Sequence, residues 1–119
     1  MSIITTILAT LVAIEFIFIM YLETFATSSD KTSETFNMGK DELNRQSVNV
    51  LFKNQGVYNG LIAVLIFIAV YVFHDKVWTA IFMGYIILVA LYGSITSNPK
   101  ILIKQGGLAI CTLITCILF

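Results

Sequence analysis

Charge is scarce in this chain. Its 119 residues include seven basic and seven acidic side chains, 12% of the total, against 58% hydrophobic, a balance too apolar for a soluble globular domain. Formal net charge is zero, so there is neither a basic field to draw nucleic acid nor an acidic tail. Cysteine is limited to Cys111 and Cys116 in the last apolar run, where one helix does not readily close them into a disulfide. Both read as small apolar fillers, and they leave the redox compartment undefined. No phosphate-binding glycine loop, zinc-ligand spacing or nucleophile elbow is present, and there is no internal repeat. His74 has no obvious second ligand, so no metal site is expected, and nothing in the residue pattern names a cofactor.

The charges that exist are concentrated. Eight of the fourteen lie between Asp30 and Lys53, leaving long apolar runs on either side. A helix needs about 20 apolar residues to cross a bilayer, and four runs approach that length: 3–25, 57–73, 77–96 and 99–119. The expectation is an all-α integral membrane four-helix bundle, one domain over 1–119, with a longer polar loop over 26–53. The first run does not read as a cleaved signal peptide, because it has no basic leader, is too long and carries Glu15 in its middle.

Local signals fill in the connections. Thr27 to Asp30 and Asn37 to Gly39 read as turns, and Asp41 as the N-cap of a surface helix whose apolar edge is Leu43, Val50 and Leu51. Whether that helix runs through Gly56 into the second span stays open. Gly56, Gly60 and Ala63 form a small-residue strip of the kind that lets membrane helices approach closely, and Asn59 lies on the same strip. Ala80 and Gly84 repeat that spacing in the third span. His74-Asp75-Lys76 is short enough to force an antiparallel hairpin, and Trp78 and Tyr71 suit an interfacial aromatic belt. Asn98 can cap the last helix with Pro99, the single proline, at its first position. Gln105, Ala109, Thr112 and Cys116 fall on one helical stripe.

Orientation follows from the basic residues. Lys31, Lys40, Arg45, Lys53, Lys100 and Lys104 lie on one side, and only Lys76 lies on the other besides the amino terminus. The positive-inside rule then makes the first and third loops cytoplasmic and places both termini outside the bacterial plasma membrane.

Each amide or acid taken below the headgroups needs a partner within the protein, because hydrocarbon offers none. Asn54-Gln55-Gly56-Val57-Tyr58-Asn59-Gly60 therefore stands out, running straight into apolar sequence. Glu15 lies near the middle of its span, where an acid is expected to face the bundle, and is the candidate catalytic residue as a proton carrier. Glu23, about 80° around the helix and roughly 12 Å further along, is expected to reach water and pair with Lys53 or Lys104. It also stands as a candidate ligand-binding residue with Asn54, Gln55, Tyr58, Asn59 and Gln105. The amides have a competing role as glue between helices.

A mid-span Glu15, Tyr21-Leu22-Glu23-Thr24-Phe25 closing the first span, Phe36, the Asn54 to Gly60 run, Tyr92-Gly93 and Gln105 together resemble domain-of-unknown-function family 1304. Those are small four-helix bacterial membrane proteins, and the resemblance covers nearly the whole chain. Thr24 departs from it, standing where methionine is usual. The resemblance implies the four-span architecture and no activity. Three functional readings remain. One is a polar intramembrane site near the cytoplasmic side that binds a small hydrophobic or lipid-like ligand, with enzymatic action on it left open. Another is a proton-coupled exporter using Glu15, by analogy with four-span multidrug transporters. The third is a non-catalytic assembly or accessory subunit. The expected partners are the lipid bilayer, such a ligand and a second copy of the chain, and no nucleic acid.

Overall fold

A computed structural model describes all residues from Met1 to Phe119. The chain is all-α, without strands. Helix α1 (Ile3–Met20) runs on through a π-helical turn (Tyr21–Phe25). Two short helices follow, α2 (Asp30–Phe36) and α3 (Lys40–Asn44). Then come α4 (Gln46–Phe67) with a second π-helical turn (Ile68–Val72), α5 (Lys76–Thr96) and α6 (Ile101–Leu118). Four stretches, Ile3–Phe25, Gln46–Val72, Lys76–Thr96 and Ile101–Leu118, are long and apolar enough to cross a membrane.

The chain divides into two compact units, and α1 and α4 each contribute to both. The first comprises Met1–Glu15 and Ala63–Phe119. Small residues set its packing: a Cβ on Gly106 of α6 would stand 3.3 Å from the Ala90 Cβ of α5, and one on Gly93 would stand 3.4 Å from Ile101. Ala109, Thr112 and Cys116 are buried on the inner stripe of α6, and Gln105 is partly buried. Hydroxyls bind across the unit, Thr5 to Thr115 at 2.9 Å and Thr10 to the Tyr71 hydroxyl at 2.6 Å. His74 turns the chain between α4 and α5 with a left-handed backbone (φ 49°), and the Asp75 N–H donates to the Ala69 carbonyl. Gly84, read from its spacing as a packing position, faces open space.

The second unit is Phe16–Ile62. Much of the segment expected as loop is helical here. Ser29 caps α2, its hydroxyl accepting from the Thr32 N–H at 3.2 Å, and Asn37 ends the helix in the left-handed region (φ 54°). The surface helix expected from Asp41 is instead broken. Gly39 is the N-cap of α3, Asp41 lies in its first turn where a carboxylate favours the helix dipole, and extended Arg45 (ψ 133°) separates α3 from α4. The supposed apolar edge is split with it: Leu43 is buried on α3, while Val50 and Leu51 are exposed on α4. From Gln46 the helix runs unbroken through Gly56. Pro99 differs as well. Asn98 accepts from the Lys100 N–H at 3.1 Å, but Pro99 sits in that turn and α6 begins at Ile101.

Candidate functional site

Glu23 lies on the π-helical turn that ends the first long helix. A π-turn widens the backbone ring to i→i+5, here with the Ala26 N–H on the Tyr21 carbonyl at 2.9 Å, and it disturbs the usual pairing of nearby carbonyls. Threonines from the following segment meet them. Thr27 donates to the Glu23 carbonyl at 2.7 Å, and Thr32 lies near the Leu22 and Ala26 carbonyls at 3.0 and 2.7 Å. Both threonines are buried. The start of α2 is thereby tied to the turn that carries the acid.

Helix α4 supplies the other wall. Gln55 and Asn59 are four apart, hence one turn apart on the same side, with Gly56 and Gly60 beside them. The glycines are where close approach requires them. A Cβ on Gly56 would collide with the Thr24 hydroxyl and lie 3.1 Å from the Glu23 Cβ, and one on Gly60 would collide with the Met20 sulfur. Thr24 uses that proximity, donating to the Lys53 carbonyl at 3.0 Å. At this separation Gln55 Nε2 donates to Glu23 Oε2, and Asn59 Nδ2 donates to Oε1 at 2.5 Å.

The result is a fully buried carboxyl group met on both oxygens by amide donors. No cation pairs with it; the ion pairs of the chain are Asp30 with Lys40 and Glu42 with Arg45. This overturns the expectation that Glu23 reaches water and pairs with Lys53 or Lys104. Close packing at Gly56 puts the acid under α4, where amides are the partners in range. Gln55 is exposed and Asn59 partly so. Their N–H groups being turned to Glu23, the amide oxygens remain available as acceptors.

The other sequence-nominated residues do not join this cluster. Asn54 and Tyr58 are exposed, Tyr58 to 74%, and no hydrogen bond links either to Glu23. Glu15 and Gln105 belong to the first unit. Glu15 is partly buried, and its Oε1 is buried without a hydrogen-bond partner. Sequence reasoning missed Thr24, Thr27 and Thr32, which hold the π-turn and its helix contact. Thr27 and Thr32 are isolated in a polar loop and carry no signal until it folds back, and Thr24, at the end of the first apolar run, registers only as a departure from the family pattern. Asp30, outside the apolar helices, has its carboxyl held below the usual range by the hydrogen bond and charge of Lys40 at 2.7 Å.

Among known proteins, the family model described as "Protein of unknown function (DUF1304)" matches residues 10–117. An uncharacterized protein of Lactococcus lactis, YpaA, is 59% identical over 116 residues, covering 97% of this chain and 98% of that protein. No solved structure matches.

Proposed function

The chain belongs to the DUF1304 family of proteins of unknown function, and from that premise we propose that it is an integral membrane protein whose Glu23–Gln55–Asn59 cluster binds a small hydrophobic or lipid-like ligand. Four helices of membrane-crossing length and apolarity support insertion. Six basic residues on one side against one on the other favour cytoplasmic first and third loops in the plasma membrane, with both termini outside. Glu23 and its amides then lie near the cytoplasmic end of their helices.

The observation that carries the binding reading is the fully buried Glu23 carboxyl group, held by two amides and by no cation. A buried acid within an apolar helix is costly, and groups retained at such cost mark ligand or ion sites by default. The amide oxygens of Gln55 and Asn59 suit the hydrogen-bonding head of an amphiphile, and the apolar faces around them suit its tail. Tyr58 and Asn54 are exposed on the same helix.

Native mass spectrometry of protein gently extracted from its own membrane tests this, comparing wild type with Glu23→Gln and Asn59→Leu. One defined small molecule on the wild type, lost from both folded variants, is the expected result. Bulk lipid alone on all three, with lowered thermal stability in the variants, would make the cluster helix glue and overturn the reading.

A second reading has its own observation. The unpartnered Glu15 Oε1 favours a proton-coupled exporter, since an acid without a fixed partner is free to exchange a proton. Proton release upon drug addition, abolished in Glu15→Gln, is what that function requires.

A further inference from the structure

Asp75 and Lys76 are adjacent but have different commitments. The Asp75 carboxylate caps α5, accepting from the N–H groups of Val77 at 2.8 Å and Trp78 at 3.1 Å. It is thereby turned to the positive end of its own helix. Lys76 forms no ion pair. Its partly buried side chain helps line a groove of about 330 Å³ whose other walls are Val77, Ala80 and Ile81 of α5 and Cys116 and Ile117 of α6. All five of those are apolar or weakly polar. Trp78, half-exposed in the same first turn of α5, is a residue type that settles at the headgroup level.

A single unpaired cation among the walls of an otherwise apolar groove matches an amphiphile with one negative charge. We propose that this groove holds an anionic phospholipid, its phosphate on Lys76 and the upper part of one acyl chain between Ala80, Ile81 and Ile117. The lysine stem lies along apolar surface while the ammonium reaches the phosphate, as long basic side chains do at membrane boundaries. A free phosphate would use the charge and leave the walls idle. A zwitterionic lipid would use the walls and bring its own cation to Lys76. The site is separate from Glu23 and rests on the membrane reading above.

The test is native mass spectrometry of protein exchanged into micelles holding equal amounts of phosphatidylglycerol and phosphatidylcholine, comparing wild type, Lys76→Gln and Ala80→Phe. The wild type is expected to retain one phosphatidylglycerol several-fold over phosphatidylcholine. Lys76→Gln should bring the two near parity, and Ala80→Phe should lower retention of both by filling the groove. Lys76→Gln removes the charge and leaves the α5 and α6 walls in place, so it decides the matter even where Ala80→Phe folds poorly. Equal retention by the wild type, or an unchanged preference in Lys76→Gln, overturns the proposal. So does displacement of the retained lipid by millimolar inorganic phosphate, which assigns the site to a free anion. Carbonate extraction of proteoliposomes separates the two premises. Protein released by carbonate sinks the membrane reading and this site with it, whereas protein that stays without lipid preference sinks the site alone.

Discussion

Gly56→Ala is the sharpest single perturbation of the acid cluster, because one added carbon falls between α4 and the π-turn. Alone, exchanging glycine for alanine within a helix stabilises by roughly 0.5–1 kcal/mol. At Gly56 the new Cβ collides with the Thr24 hydroxyl and lies 3.1 Å from the Glu23 and Thr24 Cβ atoms. Rotating Thr24 away forfeits its bond to the Lys53 carbonyl, about 1 kcal/mol. The Glu23 Cβ is fixed to the backbone, so the helices must also separate, at an overpacking cost of about 1–3 kcal/mol. Net destabilisation of about 1–3 kcal/mol is expected, more if separation lengthens the amide bonds to Glu23. Gly84→Ala is the control: nothing lies within 4 Å of its Cβ, so the propensity gain stands alone. Gly106→Ala should fall between them, its Cβ meeting Ala90 at 3.3 Å and Leu102 at 3.4 Å. Stabilities from circular dichroism during denaturation in a fixed detergent give the order. A Gly56→Ala protein as stable as Gly84→Ala would refute the close-approach reasoning.

Further expectations follow from individual bonds. Removing Asn59 leaves one Glu23 oxygen without its donor, so Asn59→Leu should cost about 1.5–3 kcal/mol; in a double-mutant cycle with Glu23→Gln, additive losses would show that the pair is not coupled. Thr32→Val removes the buried hydroxyl near the Leu22 and Ala26 carbonyls, at about 1–3 kcal/mol, and hydrogen exchange should quicken over 21–36 before the rest of the second unit. Unchanged exchange there counts against the threonine as the tie. Asp30 titrates below its unfolded value of about 3.9 because Lys40 favours its charged form. Its stabilising contribution is therefore present above that value and lost as pH falls through the lower folded one. Both side chains are well exposed, so the contribution is small and salt-screened. An NMR titration should find the Asp30 midpoint depressed in wild type and restored in Lys40→Gln, and equal midpoints would dismiss the pair.

Hydropathy patterning points to four long apolar helices, because a run of that length with so few charges satisfies its backbone within itself as a helix. The strip of Gly56, Gly60 and Ala63 is legible for the same sort of reason: missing side-chain volume at helical spacing is a local property, and all three positions are buried. Helix boundaries in the polar segment are less so. Asp41 has the chemistry of a cap, yet Gly39 takes that position, and Arg45 breaks a helix that periodicity would continue. Local propensity there differs by fractions of a kcal/mol, and packing decides. The fate of Glu23 depends on tertiary structure still more. Near a helix end, with Lys53 and Lys104 in the chain, an acid reads as solvated or ion-paired. A π-turn shifts its direction by part of a turn, and a hairline contact at Gly56 closes α4 over it, leaving amides as its partners. Residue types and their spacing along one helix are written in the chain, and they determine which segments are apolar and which amides could serve an acid. Which acid meets which amide depends on distances of a few tenths of an ångström between segments some thirty residues apart, and only the folded backbone sets those.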